Sequence, residues 1–336
     1  MYKYKITELN NGLKIITVPN KDKRTCLFKI IVKTGAEYEK YDQQGISHFI
    51  EHTFFKGTKD KTKQEIYTEV ESYGGKINGR TDNLITQYFI WAPSRYQNNI
   101  IDLLSDIFLN FNYTKETIEE EKGVVLAEIL RKKEKVDFNN SILLRKSFFG
   151  ESNPGGWPTL GDQKSIKNMN REIISKYIKD NYVASNIIIL MAGNINEKQA
   201  IQRISNKFNH LPLVKSKKKK KVKFINTSQE VIINKNHQKQ SKIEIWFPFK
   251  DMFSEDKYPA KLISSLNNHR GWEKSLKYQL RELNSLIYSM SIRTNCFLDY
   301  GFFCITIPTD KKNIEKCLDI TLKQLNYLKN NKIDKN

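Results

Sequence analysis

Apolar and polar residues alternate with period two over much of the first 35 positions. "YKYKITEL" and "LKIITV" flank Asn10-Asn11-Gly12, and this spacing predicts a β-hairpin. "CLFKIIVKTG" predicts a third strand, ended by Gly35. The period then changes. Between residues 45 and 57, Ile46, Phe49, Ile50, Thr53 and Phe54 fall on one side of a helical wheel. Thr62-Lys63-Gln64-Glu65 reads as a capping box opening a second helix, with Ile66, Val70 and Tyr73 as its apolar stripe and Gly74-Gly75 as its end. "LITQYFIWAP" (84–93) predicts a strand stopped by Pro93. "NNIIDLLSDIFLNF" and "KETIEEEKGVVLAEILRKKE" predict helices, and "ASNIIILMAGNI" (184–195) predicts a buried strand.

A lysine-rich run, "KSKKKKKVK" (215–223), has no periodicity and reads as a solvated linker over 215–221. It separates residues 1–214 from residues 222–336. The second part reopens with the strand patterns "EVIINKN" and "SKIEIWFPF". Helical "YPAKLISSLNN" and "WEKSLKYQLREL", strands "SLIYSMSIRTN" and "YGFFCITIP", and a helix from Lys311 to about Asn330 follow. Both parts begin strand, turn, strand, helix, which suggests an internal repeat. The predicted class is α+β: two related halves, each a mainly antiparallel sheet packed with helices. The second half, 115 residues against 214, is expected to be incomplete.

Charge changes this picture little. Lys and Arg total 57 against 37 acidic residues, a formal net charge of +20. The excess is spread as +7 over 1–214, +6 over 215–221 and +7 over 222–336. No basic helix, aromatic-basic motif or zinc-finger spacing accompanies it, which argues against a nucleic-acid partner. Cys26, Cys296, Cys304 and Cys317 form no C-x-x-C pair and read as reduced thiols. The N-terminus has no apolar signal core and no run reaches membrane-spanning length, so a soluble cytoplasmic protein without membrane contact is expected.

The chemistry concentrates in "GISHFIEHTFFKGT", residues 45–58, one of few histidine-bearing stretches in a chain with five histidines. His48 and His52 are four apart and project from one helical face, opposite the apolar side. That spacing suits two ligands of one zinc ion, and Glu51 between them is placed to act as general base on a water. A solvated polar face with chance histidines is the bland alternative. A catalytic zinc site takes a third protein ligand. Glu128 is the only charge in the apolar run "GVVLAEIL", on the same predicted inward stripe as Val124 and Val125. A carboxylate there needs a partner, either a metal ion or an Arg or Lys. Glu121, two turns earlier, is placed to hydrogen-bond one of the ligands or tune the water.

These residues, H-x-x-E-H at 48–52 with Glu121 and Glu128 following, resemble the pitrilysin/insulinase zinc metallopeptidases. "GGKINGRTDNLITQYF" and "GWPTLGDQKSIKNMNREIISKYIKDNYVASNIIILMAGNI" resemble the same family, in its compact processing-peptidase-like subgroup. The resemblance implies one Zn2+ held by His48, His52 and Glu128, with Glu51 as catalytic base and Glu121 as supporting acid. It implies that "KINGRT" is an edge strand receiving peptide substrates, with Asn78, Gly79 and Arg80 facing them. It implies that Arg281 and Tyr288 of "RELNSLIY" stabilise the tetrahedral intermediate. A homo- or heterodimer with a related subunit is the partner it suggests. Two departures stand out: "LNNHRG" in place of a glycine-rich loop, and Ser285 where glycine is common. Two rivals remain at this level, a catalytically silent assembly subunit of the same fold, and a basic scaffold for anionic surfaces.

Overall fold

The computed structural model describes residues 3–214, 219–233 and 240–332, and the chain divides into two compact units, 1–220 and 221–336. The boundary falls inside the lysine run. Residues 215–218 of the expected linker lie outside the described residues. Lys219 is not solvated as expected: its Nζ lies 3.0 Å from Oε2 of Glu37, and both side chains are buried. A fully buried carboxylate holds a cation strongly because leaving it unpaired costs several kcal/mol, about 3–5.

In the first unit, β1 (Lys5–Glu8) and β2 (Lys14–Pro19) form the expected hairpin, followed by β3 (Thr25–Val32). Next come α1 (Ile46–Phe54), α2 (Lys63–Ser72), β4 (Lys76–Thr81) and β5 (Thr86–Pro93). The Thr62 capping box is present. α3 (Gln97–Asn110) and α4 (Lys115–Lys133) match their predicted spans. α5 (Val136–Phe149), α6 (Gln163–Asn168), α7 (Arg171–Asn181), β6 (Ile187–Gly193) and α8 (Glu197–Phe208) complete the unit.

The six strands run β1-β2-β6-β3-β5-β4, antiparallel except β2 with β6. Among the described residues β4 is therefore an edge strand, its outer side unpaired. α1, α3 and α8 pack on one face of the sheet. That face carries Phe28, Ile30, Tyr88, Ile90 and Ile189. They are fully buried in one core with Phe49 and Phe54 of α1 and Ile100 and Leu104 of α3. The apolar side of the α1 wheel is buried as predicted: Ile46, Phe49, Ile50, Thr53 and Phe54 are all solvent-inaccessible.

The second unit has a three-stranded antiparallel sheet, β7-β9-β8, from β7 (Ser241–Phe249), β8 (Ser291–Cys296) and β9 (Gly301–Thr309). α9 (Lys257–Asn268) packs on β8, and α10 (Ile314–Asn330) on β9. Leu280, Ile305, Ile307 and Cys317 are the fully buried centre of its small core.

Three expectations change here. Residues 230–233 of "EVIINKN" form no strand, with Val231, Ile232 and Ile233 exposed, and 234–236 lie outside the described residues. The helix predicted from Trp272 begins only at Leu276, because the Ser275 hydroxyl accepts the Tyr278 N–H at 3.0 Å and caps the first turn. It then widens into a π-helix over Tyr278–Leu283. The strand expected from Ser285 starts at Ser291, because the chain first closes that π turn, with Leu286 N–H donating to Leu280 C=O at 2.9 Å.

Candidate active site

α1 is anchored before it reaches its histidines. Its N-cap, Gly45, sits at φ +88° in the left-handed region, where glycine carries no steric penalty. A Cβ there would meet the Leu160 carbonyl oxygen at 2.6 Å. No side chain at the cap position serves the first turn; the Glu39 carboxylate does, accepting Gly45 N–H at 2.7 Å and Ser47 N–H at 3.0 Å. Burial pushes the Glu39 carboxyl up to about 7, against the lowering effect of those donors.

One turn on, the His48 and His52 rings lie 4.4 Å apart between centroids. α4 packs across them. Glu128 Oε2 is 3.8 Å from His48 Nε2 and 3.6 Å from His52 Nε2. Ligand atoms of the three residues all lie within 4.8 Å of one another. Ligands at ordinary zinc distances in a tetrahedron are separated by about 3.3–3.5 Å. The two carboxylate–imidazole separations lie within a few tenths of an ångström of that spacing, and two imidazoles with one carboxylate are a catalytic-type donor set for zinc.

The neighbours prepare those donors. His52 Nδ1 is 2.9 Å from Glu121 Oε1, which turns the Nε2 lone pair toward the cluster. Glu121 is 2% exposed, and its second oxygen is 2.5 Å from Lys56 Nζ. Burial would raise the Glu121 carboxyl, but hydrogen bonds from His52 and Lys56 hold it below its usual range. Burial would likewise lower His52, but the Glu121 hydrogen bond and the charges of Glu51, Glu121 and Glu128 raise it. His48 is driven down to about 3, first by burial and then by His52 and Lys132, so it is neutral at ordinary pH. Burial, opposed by His52 and reinforced by Glu128 and Glu121, raises the Glu51 carboxyl.

Glu51 rests against the edge strand. A Cβ on Gly79 would lie 2.7 Å from Glu51 Oε1 and 3.0 Å from a Phe55 ring carbon, so glycine is what lets α1 and β4 approach. Asn78 and Arg80 flank it on the exposed side, and Asn78 Oδ1 accepts the Gly79 N–H at 2.8 Å. Arg80 pairs with Asp82 at the surface, 3.2 Å apart.

In the second unit, Arg281 lies in the π turn and stacks over the Tyr288 ring at 5.0 Å, with Tyr288 79% exposed. Ser285 between them has φ +51°, the one non-glycine in the left-handed region among the described residues. π turns and such strained positions are enriched at functional sites.

Two readings of α4 change. Val124 is 49% exposed, not inward. The buried stripe is Ile118, Glu121, Val125 and Ile129, and Glu128 lies at its margin, partly open to the site. Sequence reasoning missed Lys56 and Glu39. Lys56 follows His52 by four residues but lies past the end of α1, and Glu39 is reached only through a loop, so helical periodicity marks neither.

Comparison with known proteins gives the family. Residues 14–147 match the model of insulinase (peptidase family M16), and residues 168–336 match that of the peptidase M16 inactive domain. An uncharacterized zinc protease of Rickettsia bellii is 27% identical over 318 residues, covering 93% of this chain and 75% of the relative. The mitochondrial-processing peptidase subunit beta of Dictyostelium discoideum is 33% identical over 208 residues, covering 61% of this chain and 43% of the relative. The fold of a Helicobacter pylori protease superposes with a TM-score of 0.84 at 20% identity, over 100% of this chain and 82% of that one. With its two halves matched in order over most of its length, the chain belongs to the insulinase family, peptidase family M16.

Proposed function

We propose that this protein is a zinc-dependent endopeptidase cutting short or unfolded polypeptides. The observation that carries the reading is the convergence of His48, His52 and Glu128 within zinc-binding reach, with Glu51 held beside them against an edge strand. Zinc, when bound, supplies Lewis-acid chemistry, polarising a carbonyl and acidifying water. Glu51 is the general base: its raised carboxyl takes the proton of the attacking water and returns it to the departing amine nitrogen. Glu121 fixes the His52 tautomer, and Lys56 keeps Glu121 ionised in its buried position. β4 holds the peptide extended by adding it as a seventh strand. Arg281 and Tyr288, stacked on one another in the second unit, are proposed as substrate residues on the strength of the family resemblance. A related subunit is the proposed partner, on the model of relatives named as processing-peptidase subunits.

The test is zinc content and peptide cleavage of the purified protein and of Glu51→Gln. The wild type should carry about one zinc and cut peptides; the variant should keep zinc and lose cleavage by about 100-fold or more. A wild type that binds zinc yet cuts no peptide, alone or with a related subunit, would instead support the assembly-subunit role.

A further inference from the structure

The sheet face that an added peptide would meet on β4 is cationic. Along β4, Ile77, Gly79 and Thr81 turn toward α1, where Gly79 meets Glu51 and Thr81 bonds to the Ser47 carbonyl. Lys76, Asn78 and Arg80 take the opposite face and are all exposed. The cross-strand register aligns Lys76 with Trp91 and Leu27, Asn78 with Phe89 and Lys29, and Arg80 with Gln87 and Ile31. Those nine positions on three strands hold three cations and no carboxylate. Lys29 is held there by the Gln87 amide oxygen at 3.1 Å and by the Phe89 ring. Lys76 makes no ion pair among the described residues. Arg80 has only its surface pair with Asp82, a weak interaction that a substrate can replace.

Strand addition converts this pattern into a rule about sequence. Cross-strand neighbours share a face, so peptide residues opposite Lys76, Asn78 and Arg80 all point onto the cationic side. The residue opposite Gly79 points toward Glu51. The parity holds whichever way the peptide runs. We infer that this protein selects extended peptides carrying acidic side chains at alternate positions, one and three residues from the residue opposite Gly79, with Lys76 and Arg80 as the selecting residues. This rests on the peptidase reading and on the docking edge it assigns. Docking also moves the Asn78 oxygen off the Gly79 N–H, freeing that donor for the peptide backbone.

The experiment uses one internally quenched peptide in which a single Asp or Lys is placed at each position around the cut, with the cut located by mass spectrometry. The readout is the Asp-to-Lys ratio of kcat/KM at each position, in the wild type and in Lys76→Glu, at low and high salt. In the wild type the ratio should exceed one by about three- to tenfold at alternating positions, stay near one between them, and shrink in salt. In Lys76→Glu the ratio should reverse at the position facing residue 76 alone, with zinc content and melting temperature unchanged. A ratio that follows total peptide charge rather than position, or that K76E leaves untouched, overturns the inference. The same peptides titrated against the Glu51→Gln variant by fluorescence anisotropy separate the two levels. Alternating preference in binding without any cleavage by the wild type sinks the peptidase reading and leaves the selection standing. Cleavage without alternation does the reverse, and neither binding nor cleavage removes both.

Discussion

Gly79→Ala adds one methyl group between the edge strand and the proposed base. Its β-carbon would lie 2.7 Å from Glu51 Oε1, and ordinary contact begins at 3.4 Å, so the carboxylate must retreat by about 0.7 Å. The Phe55 ring, at 3.0 Å, must give by about 0.4 Å as well. Neither group that must move is one of the proposed ligands His48, His52 and Glu128. Gly79 is an ordinary extended residue, outside the positive-φ glycines, so alanine brings no backbone strain. It trims unfolded-state entropy by about 0.4–1 kcal/mol, which offsets part of the clash. Displacing a catalytic group by nearly an ångström costs on the order of 10²-fold in rate. The expected result is kcat/KM down about 30- to 100-fold, with zinc content intact and a melting temperature within a few degrees of wild type. Retained activity would show that Glu51 does not need its place against β4. Zinc lost together with activity would show that the methyl group disturbs the ligands instead, and the assignment of Glu51 as a base beside the metal would lose this support.

Two further outcomes follow from buried carboxylates. Glu121→Gln removes the charge shared by His52 and Lys56 and should weaken zinc binding about 10- to 100-fold in chelator competition; unchanged affinity would refute its role in holding His52. Glu39 has a folded-state carboxyl raised from 4.5 to about 7, so between those values the folded protein keeps a proton the unfolded chain has released. Its contribution is therefore fully favourable below about pH 4.5 and declines through pH 7 by roughly 3 kcal/mol. Urea melts should show Glu39→Gln gaining on wild type across that window, and a constant gap from about pH 5 to 8 would contradict the burial argument.

What the sequence made legible was local. The H-x-x-E-H face, the Thr62 capping box and the hairpin at Asn10-Asn11-Gly12 depend on residues within a few positions of each other, and each stands where periodicity put it. Glu128 stands out through its oddness in an apolar run, although Val124 faces solvent and the stripe is turned by one residue. Contacts between distant segments left no such trace. Glu39 reaches the α1 N-terminus across a loop, and Lys219 leaves a featureless basic run to meet Glu37. In the second unit, the Ser275 cap and the π turn around Arg281 defeated the period that predicted a plain helix. Hydroxyl capping and one widened turn outweigh a periodic pattern when the segment is only a dozen residues long.

The position of β6 has a consequence for how the protein is made. It is the last strand of the first unit in sequence, residues 187–193, yet it lies between β2 and β3 in the sheet. Until it arrives, the β1–β2 hairpin has no hydrogen-bonded link to the β3-β5-β4 half that carries Gly79. During synthesis the H-x-x-E-H helix emerges long before the sheet beneath it can close, leaving the inner edge of β3 without a partner. Such an edge invites pairing with other chains. A ribosome must therefore release about 140 residues beyond His52 before the metal cluster has a finished floor, and a piece ending near residue 147 would hold every proposed ligand on a sheet split in two.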